Sequence, residues 1–101
     1  MNSNHYLIIF RPPRPTFAQD ATEKESAVIA EHFEYLKKLL SEGILLLAGR
    51  SEDAVMGIAV LQASDTEAAD TIMRDDPAVR EGLFSATLSP FRLALFAGSE
   101  A

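Results

Sequence analysis

The sequence predicts an α+β domain whose elements run β-α-β-β-α-β, and three observations carry that prediction. A strand-forming apolar run, Tyr6-Leu7-Ile8-Ile9-Phe10, opens the chain. Two helical patterns each begin at a capping sequence, Thr22-Glu23-Lys24-Glu25 and Ser64-Asp65-Thr66-Glu67. Between them lie two apolar runs, 44–48 and 55–61, whose short connection makes them an antiparallel hairpin.

Each element has a local cause. The first strand ends at Arg11-Pro12-Pro13-Arg14-Pro15, because prolines supply no N–H to a ladder, and a loop is expected as far as Ala21. In the first capping box the Thr22 hydroxyl and the Glu25 carboxylate each bond a backbone N–H. The helix they open runs to about Glu42, where Gly43 provides the left-handed stop. Ile44 to Arg50 reads as a second strand, apolar enough to be covered on both faces, and Ser51-Glu52-Asp53 as a turn. Val55 to Leu61 then forms a third strand. The second capping box opens a shorter helix carrying Ala68, Ala69, Ile72 and Met73, and Asp75-Asp76-Pro77 breaks it into a turn ending at Gly82. The last strand is expected within Leu83 to Phe96. Phe91, Leu93 and Leu95 there alternate with Arg92, Ala94 and Phe96, and Pro90 restricts the strand to a start, an edge or a bulge.

This order is the split βαβ arrangement of ferredoxin-like folds, a four-stranded antiparallel sheet with both helices on one face. The other face is then left bare. With Ile44 to Ala48 wholly apolar, that face is too oily for a lone chain, so a sheet-against-sheet homodimer is expected, with a cleft near its interface.

Composition narrows the function. The 101 residues suit a single domain spanning 1–101, and 48% hydrophobic with 24% charged residues is the mix of a globular protein. Nine basic residues against 15 acidic ones give a formal charge of −6, which opposes nucleic-acid phosphates and anionic membrane surfaces. Cysteine is absent, so disulfide, thiolate and zinc–cysteine chemistry are excluded. The N-terminus lacks the pattern of a signal peptide, and no apolar run is long enough to span a bilayer. A cytoplasmic protein is expected.

Candidate chemistry centres on His32. Val28, Tyr35, Leu36 and Leu39 share its helical face, so the imidazole points toward the interior. There is no glycine-rich phosphate loop and no nucleophile elbow. His32 lies at helical spacing from Glu25, Glu31 and Glu34, of which only Glu25 approaches its face. The capping role of Glu25 is the better reading, so no metal and no cofactor are expected.

Two blocks of residues then stand out. His32-Phe33-x-x-Leu36 is followed by Gly43 and Leu46-x-Ala48-Gly49. Further on, Asp76-Pro77-x-Val79-x-x-Gly82-Leu83 is followed by Pro90-Phe91. Together they span about two-thirds of the chain, and in order and spacing they resemble the YciI-like (YCII-related) family. That resemblance implies a ferredoxin-like protomer, a dimeric α/β barrel and a His–Asp pair in a cleft, which by position would be His32 and Asp76. It also implies a small aromatic or cyclic acid as the kind of molecule bound. Arg50 departs from the pattern, standing where the family usually has Pro, and places a cation near any cleft.

The physical case for the pair is separate. A carboxylate bonded to one imidazole nitrogen fixes the tautomer and makes the other nitrogen a better base. On this reading His32 and Asp76 are the catalytic residues of an isomerase- or lyase-type proton transfer. Arg50, with Gly49, Tyr35 and Arg11, is expected to hold a small anionic organic substrate; Arg14 is a further candidate for its carboxylate. The rival reading is a non-catalytic module of the same fold that binds a metabolite or a partner protein. In it His32 packs, Tyr35 belongs to the core, and Asp76 serves as the N-cap of a helix with Pro77 at its first position.

Overall fold

The computed structural model describes residues 4–97. Its elements are β1 (His5–Arg11), α1 (Phe17–Asp20), α2 (Glu23–Ser41), β2 (Leu45–Arg50), β3 (Gly57–Gln62), α3 (Thr66–Arg74), α4 (Pro77–Arg80) and β4 (Ser85–Pro90). The strands form one sheet in the order β2-β3-β1-β4, and every neighbouring pair is antiparallel. This is the expected ferredoxin-like α+β fold.

Alternation along β1 sorts the two faces of the sheet. Tyr6, Ile8 and Phe10 are buried. With Ala59, Leu61 and Leu45 from the neighbouring strands, Ile8 and Phe10 join a core completed by Leu39 of α2 and Met73 of α3. Leu7 and Ile9 point the other way. Their cross-strand partners are Val60 and Ile58 on β3, which in turn face Leu47 and Gly49 on β2. On the β4 side the partners are Ser89 and Thr87. The uncovered face is therefore apolar across three strands and polar on the fourth.

The α2 capping box forms as expected: the Thr22 hydroxyl accepts from the Glu25 backbone, and the Glu25 carboxylate accepts from the Thr22 N–H. Gly43 takes the left-handed conformation at φ +77°.

Four expectations need correction. The segment between β1 and α2 holds the short helix α1, set by Phe17, which is buried against Phe84. The cap of α3 is Asp65, whose carboxylate accepts from Ala68, one residue beyond Ser64. Strand β2 is covered on one face only in the single chain, and Leu47 is 42% exposed; a register shift between Leu45 and Leu47 breaks its regular alternation. The last strand is Ser85–Pro90, and 91–96 lie outside the sheet although their apolar residues alternate. Phe91 donates its N–H to His5, the first residue of β1, and beyond that point β1 offers no partner. Leu95 is 89% exposed and Leu93 only partly buried, so this alternation builds no buried face within one chain.

Candidate active site

His32 sits near the middle of α2, where the apolar face of the helix carries it onto the sheet. Its ring lies 5.2 Å from Phe10 of β1 and 5.4 Å from Phe84, edge-on to both, and the two phenyl rings are 6.0 Å apart. The imidazole is thus one corner of a three-ring cluster.

Asp76 approaches from the helical layer. The break at Asp75-Asp76-Pro77 ends α3 and starts α4, and Asp76 is the N-cap of α4 with Pro77 at its first position. Its Oδ1 accepts from the Ala78 N–H at 2.9 Å. His32 Nδ1 lies 2.7 Å from Oδ2 and 2.9 Å from Oδ1. A carboxylate oxygen facing the ring accepts, so Nδ1 carries the proton, and in the neutral imidazole Nε2 then holds the lone pair. The Asp76 residue is 1% exposed, and the His32 side chain 12%. Nε2 has no protein partner, yet no buried side-chain nitrogen or oxygen goes unpaired among the described residues. The free nitrogen is therefore reached by solvent. The cap and the imidazole partner are one and the same carboxylate.

The other expected residues are placed differently. Tyr35 donates its hydroxyl to the Ile72 carbonyl at 2.7 Å, joining α2 to α3. Burial, with Asp75 and Asp76 nearby, pushes its phenol up to about 12 from an ordinary 10.0. Arg50 ends β2 in a cross-strand row with Gly57 and Phe10, so it stands about two strand spacings, roughly 10 Å, from the strand whose ring touches His32. Its guanidinium bonds the Ser51 and Glu52 carbonyls at the hairpin turn. Leu47, Gly49, Arg50, Met56 and Ile58 line a groove of about 350 Å³ there. Gly49 lies on the bare sheet face with Ile58, and Arg11, one residue past Phe10, points to that face too.

Arg14 is occupied. It meets Glu25 through both terminal nitrogens at 2.7 and 3.0 Å and Asp20 through Nε at 2.8 Å, while covering the Phe17 ring at 5.5 Å. The guanidinium holds Glu25 down to about 2 from 4.5, helped by the Thr22 N–H. This contact pins the loop carrying Phe17 over Phe84. Among the described residues no group of three His, Cys, Asp or Glu side chains is placed to hold a metal ion. None of their helices is long and apolar enough to cross a membrane.

Sequence reasoning found the imidazole and the carboxylate but missed the rings. Phe10 was legible only as a core strand residue. Phe84 follows the Gly82 stop, a signal that marks a turn without saying what the turn presents.

The YCII-related domain pattern matches residues 6–92. The chain belongs to the YCII-related family. Among curated proteins no sequence relative matches it. Solved structures resemble this YCII-related domain in fold. One is 5-chloro-2-hydroxyhydroquinone dehydrochlorinase from Burkholderia phenoliruptrix AC1100, in complex with 2,5-dihydroxybenzoquinone. It is 18% identical with a TM-score of 0.64, covering 88% of this chain and 95% of that one. Another is muconolactone isomerase, 14% identical with a TM-score of 0.70, covering 96% and 95%. At these identities the likeness concerns the fold.

Proposed function

We propose that this YCII-related domain is a homodimeric enzyme that moves a proton on a small organic acid, with His32 as general acid/base and Asp76 orienting it. The observation that carries the reading is the buried contact at 2.7 Å between His32 Nδ1 and Asp76, which leaves Nε2 as the nitrogen open to solvent. In the forward step Nε2 takes a proton from a substrate carbon or hydroxyl, and the imidazolium is stabilised by Asp76. Returning that proton to another atom completes an isomerisation; delivering it to a departing group completes an elimination. A positioned base of this kind supplies about a hundredfold to ten-thousandfold in rate. The named activities of the two structural neighbours, an isomerase and a dehydrochlorinase, support this reaction class.

Arg50 is the anchor we assign to the substrate carboxylate. It stands at the same end of the sheet as Phe10, and its guanidinium bonds the backbone carbonyls of Ser51 and Glu52, with no carboxylate of this chain among its hydrogen bonds to the described residues. Gly49 and Arg11 lie on the bare face, where they would meet substrate only at an interface between two copies. Tyr35, its hydroxyl engaged by Ile72, is a strut between helices rather than a ligand contact. The apolar face formed by Leu7, Ile9, Leu47, Ile58 and Val60 is the surface we assign to the second copy. Leu47→Glu, which places a charge on that face, is expected to convert the dimer to monomer in analytical ultracentrifugation. A parent protein that sediments as a monomer at all concentrations overturns the dimer.

The test of function uses muconolactone and a chlorinated hydroxyhydroquinone as first substrates. Turnover of either is expected to fall at least about a hundredfold in His32→Ala, with ligand affinity retained. Binding without turnover in parent and variant alike would instead establish a binding module.

A further inference from the structure

We infer that the Gly82 turn and Phe84 form, together with Asp76, a single cradle that aims the His32 imidazole, making Gly82 and Phe84 positioning residues for the proton transfer. The inference rests on the reading of His32 as the acid/base and adds what holds it on target. Its centre is Ala78, which is fully buried. The Ala78 N–H is donated to Asp76 Oδ1 at 2.9 Å, and the Ala78 carbonyl accepts from both Leu83 and Phe84, each at 2.9 Å. One peptide unit on each side of Ala78 therefore fixes the two groups that meet the imidazole: the carboxylate at Nδ1 and the phenyl ring edge-on at 5.4 Å.

The chain can double back from α4 to reach that carbonyl only because Gly82 sits at φ +76°. Nothing lies within 4 Å of where a Cβ on Gly82 would stand. A Cβ there meets no neighbour and strains only the backbone, so the glycine is required for its conformation and not for space at the Cβ. Phe84 faces inward because Phe17 backs it at 6.0 Å and Phe10 flanks it at 6.0 Å.

The two contacts on the imidazole do different things. The carboxylate decides which nitrogen holds the proton. The phenyl rings oppose rotation of the imidazole out of the line that presents Nε2 to solvent. The stretch Asp76-Pro77-Ala78-Val79-Arg80-Glu81-Gly82-Leu83-Phe84 is thus one device: a cap, a turn of helix, a left-handed stop and a ring returned to the residue the cap holds.

The test needs no substrate. With ¹⁵N-labelled imidazole, NMR reads the His32 tautomer and the exchange of its Nδ1 proton with water, referenced to backbone amides of β1 and β3. Gly82→Val, a β-branched residue poorly suited to positive φ, and Phe84→Leu are each expected to speed that exchange about tenfold, the scale of one hydrogen bond's net stabilisation. Gly82→Asn, which tolerates the left-handed region, and Phe84→Tyr, which keeps the ring, are expected to exchange like the parent. If Gly82→Val and Phe84→Leu both match the parent, or if the amides speed up equally, the cradle is overturned while the His–Asp reading stands. A parent with no protected Nδ1 proton removes that reading itself, and the cradle with it.

Discussion

Two carboxylate contacts in this domain have the same length and opposite characters. Asp76 meets His32 Nδ1 at 2.7 Å, and Glu25 meets the Arg14 guanidinium at 2.7 Å. The first pair is nearly closed to water, with side-chain exposures of 12% and 2%, whereas the second stands at 35% and 21% on the rim of the same end of the sheet. Distance alone does not rank them. Removing one partner of a buried pair strands groups that have no water to turn to, while an exposed pair exchanges protein contacts for solvent at little net loss. The buried contact sets the orientation of the His32 imidazole, and the exposed one fastens the loop that backs its ring cluster.

The sharpest way to break this contrast is Asp76→Ala, which leaves both the His32 Nδ1–H and the Ala78 N–H without an acceptor. Urea unfolding is expected to show a loss of about 2–6 kcal/mol, about 1–3 for each stranded donor. Arg14→Met, by comparison, should cost far less, and equal losses would put burial out of the argument. Salt separates the pairs as well: adding it is expected to weaken the Arg14 contact and leave the His32 contact nearly unchanged.

Next in size is Tyr35→Phe, which removes the hydroxyl bond tying α2 to the end of α3. A loss of about 1 kcal/mol is expected. The phenol is raised in the folded state, so its contribution is complete below 10.0 and disappears as pH climbs through about 12. Parent stability should therefore fall more steeply across that alkaline window than that of Tyr35→Phe. Parallel curves would mean the phenol titrates as freely folded as unfolded.

The smallest effect belongs to Glu25→Gln, which keeps the capping acceptor and deletes the charge. Glu25 is depressed in the folded state, so its stabilisation is present above 4.5 and is lost as pH falls through about 2. Thermal unfolding of parent and variant is expected to converge toward acid; a constant gap would assign the loss to capping geometry.

What the sequence made legible follows from how local each cause is. Thr22 with Glu25, His32 on the face of Leu36 and Leu39, and Asp76 ahead of Pro77 all act within a turn or two, and each appears where it was expected. Helix α1 escaped because four residues show no periodicity, and its cause, Phe17 on Phe84, spans most of the chain. The ring cluster escaped for the same reason: Phe10 and Phe84 meet His32 only after the sheet and α4 have assembled. Misplacing the last strand has another origin. Alternation in Phe91, Leu93 and Leu95 is a true strand pattern, but a strand also needs a neighbour, and β1 begins only at His5.

That unpaired stretch gives the molecule a proteolytic handle. Arg92 is exposed and lies two residues past the end of β4, outside every helix and strand. Trypsin should cut after it early in a limited digest, before any arginine held within the body. The cut would release the exposed Leu95 and Phe96 and spare every residue of the sheet and of the imidazole cluster. The rate of that single cleavage, followed as protein concentration rises, therefore reports whether a second copy takes hold of the arm.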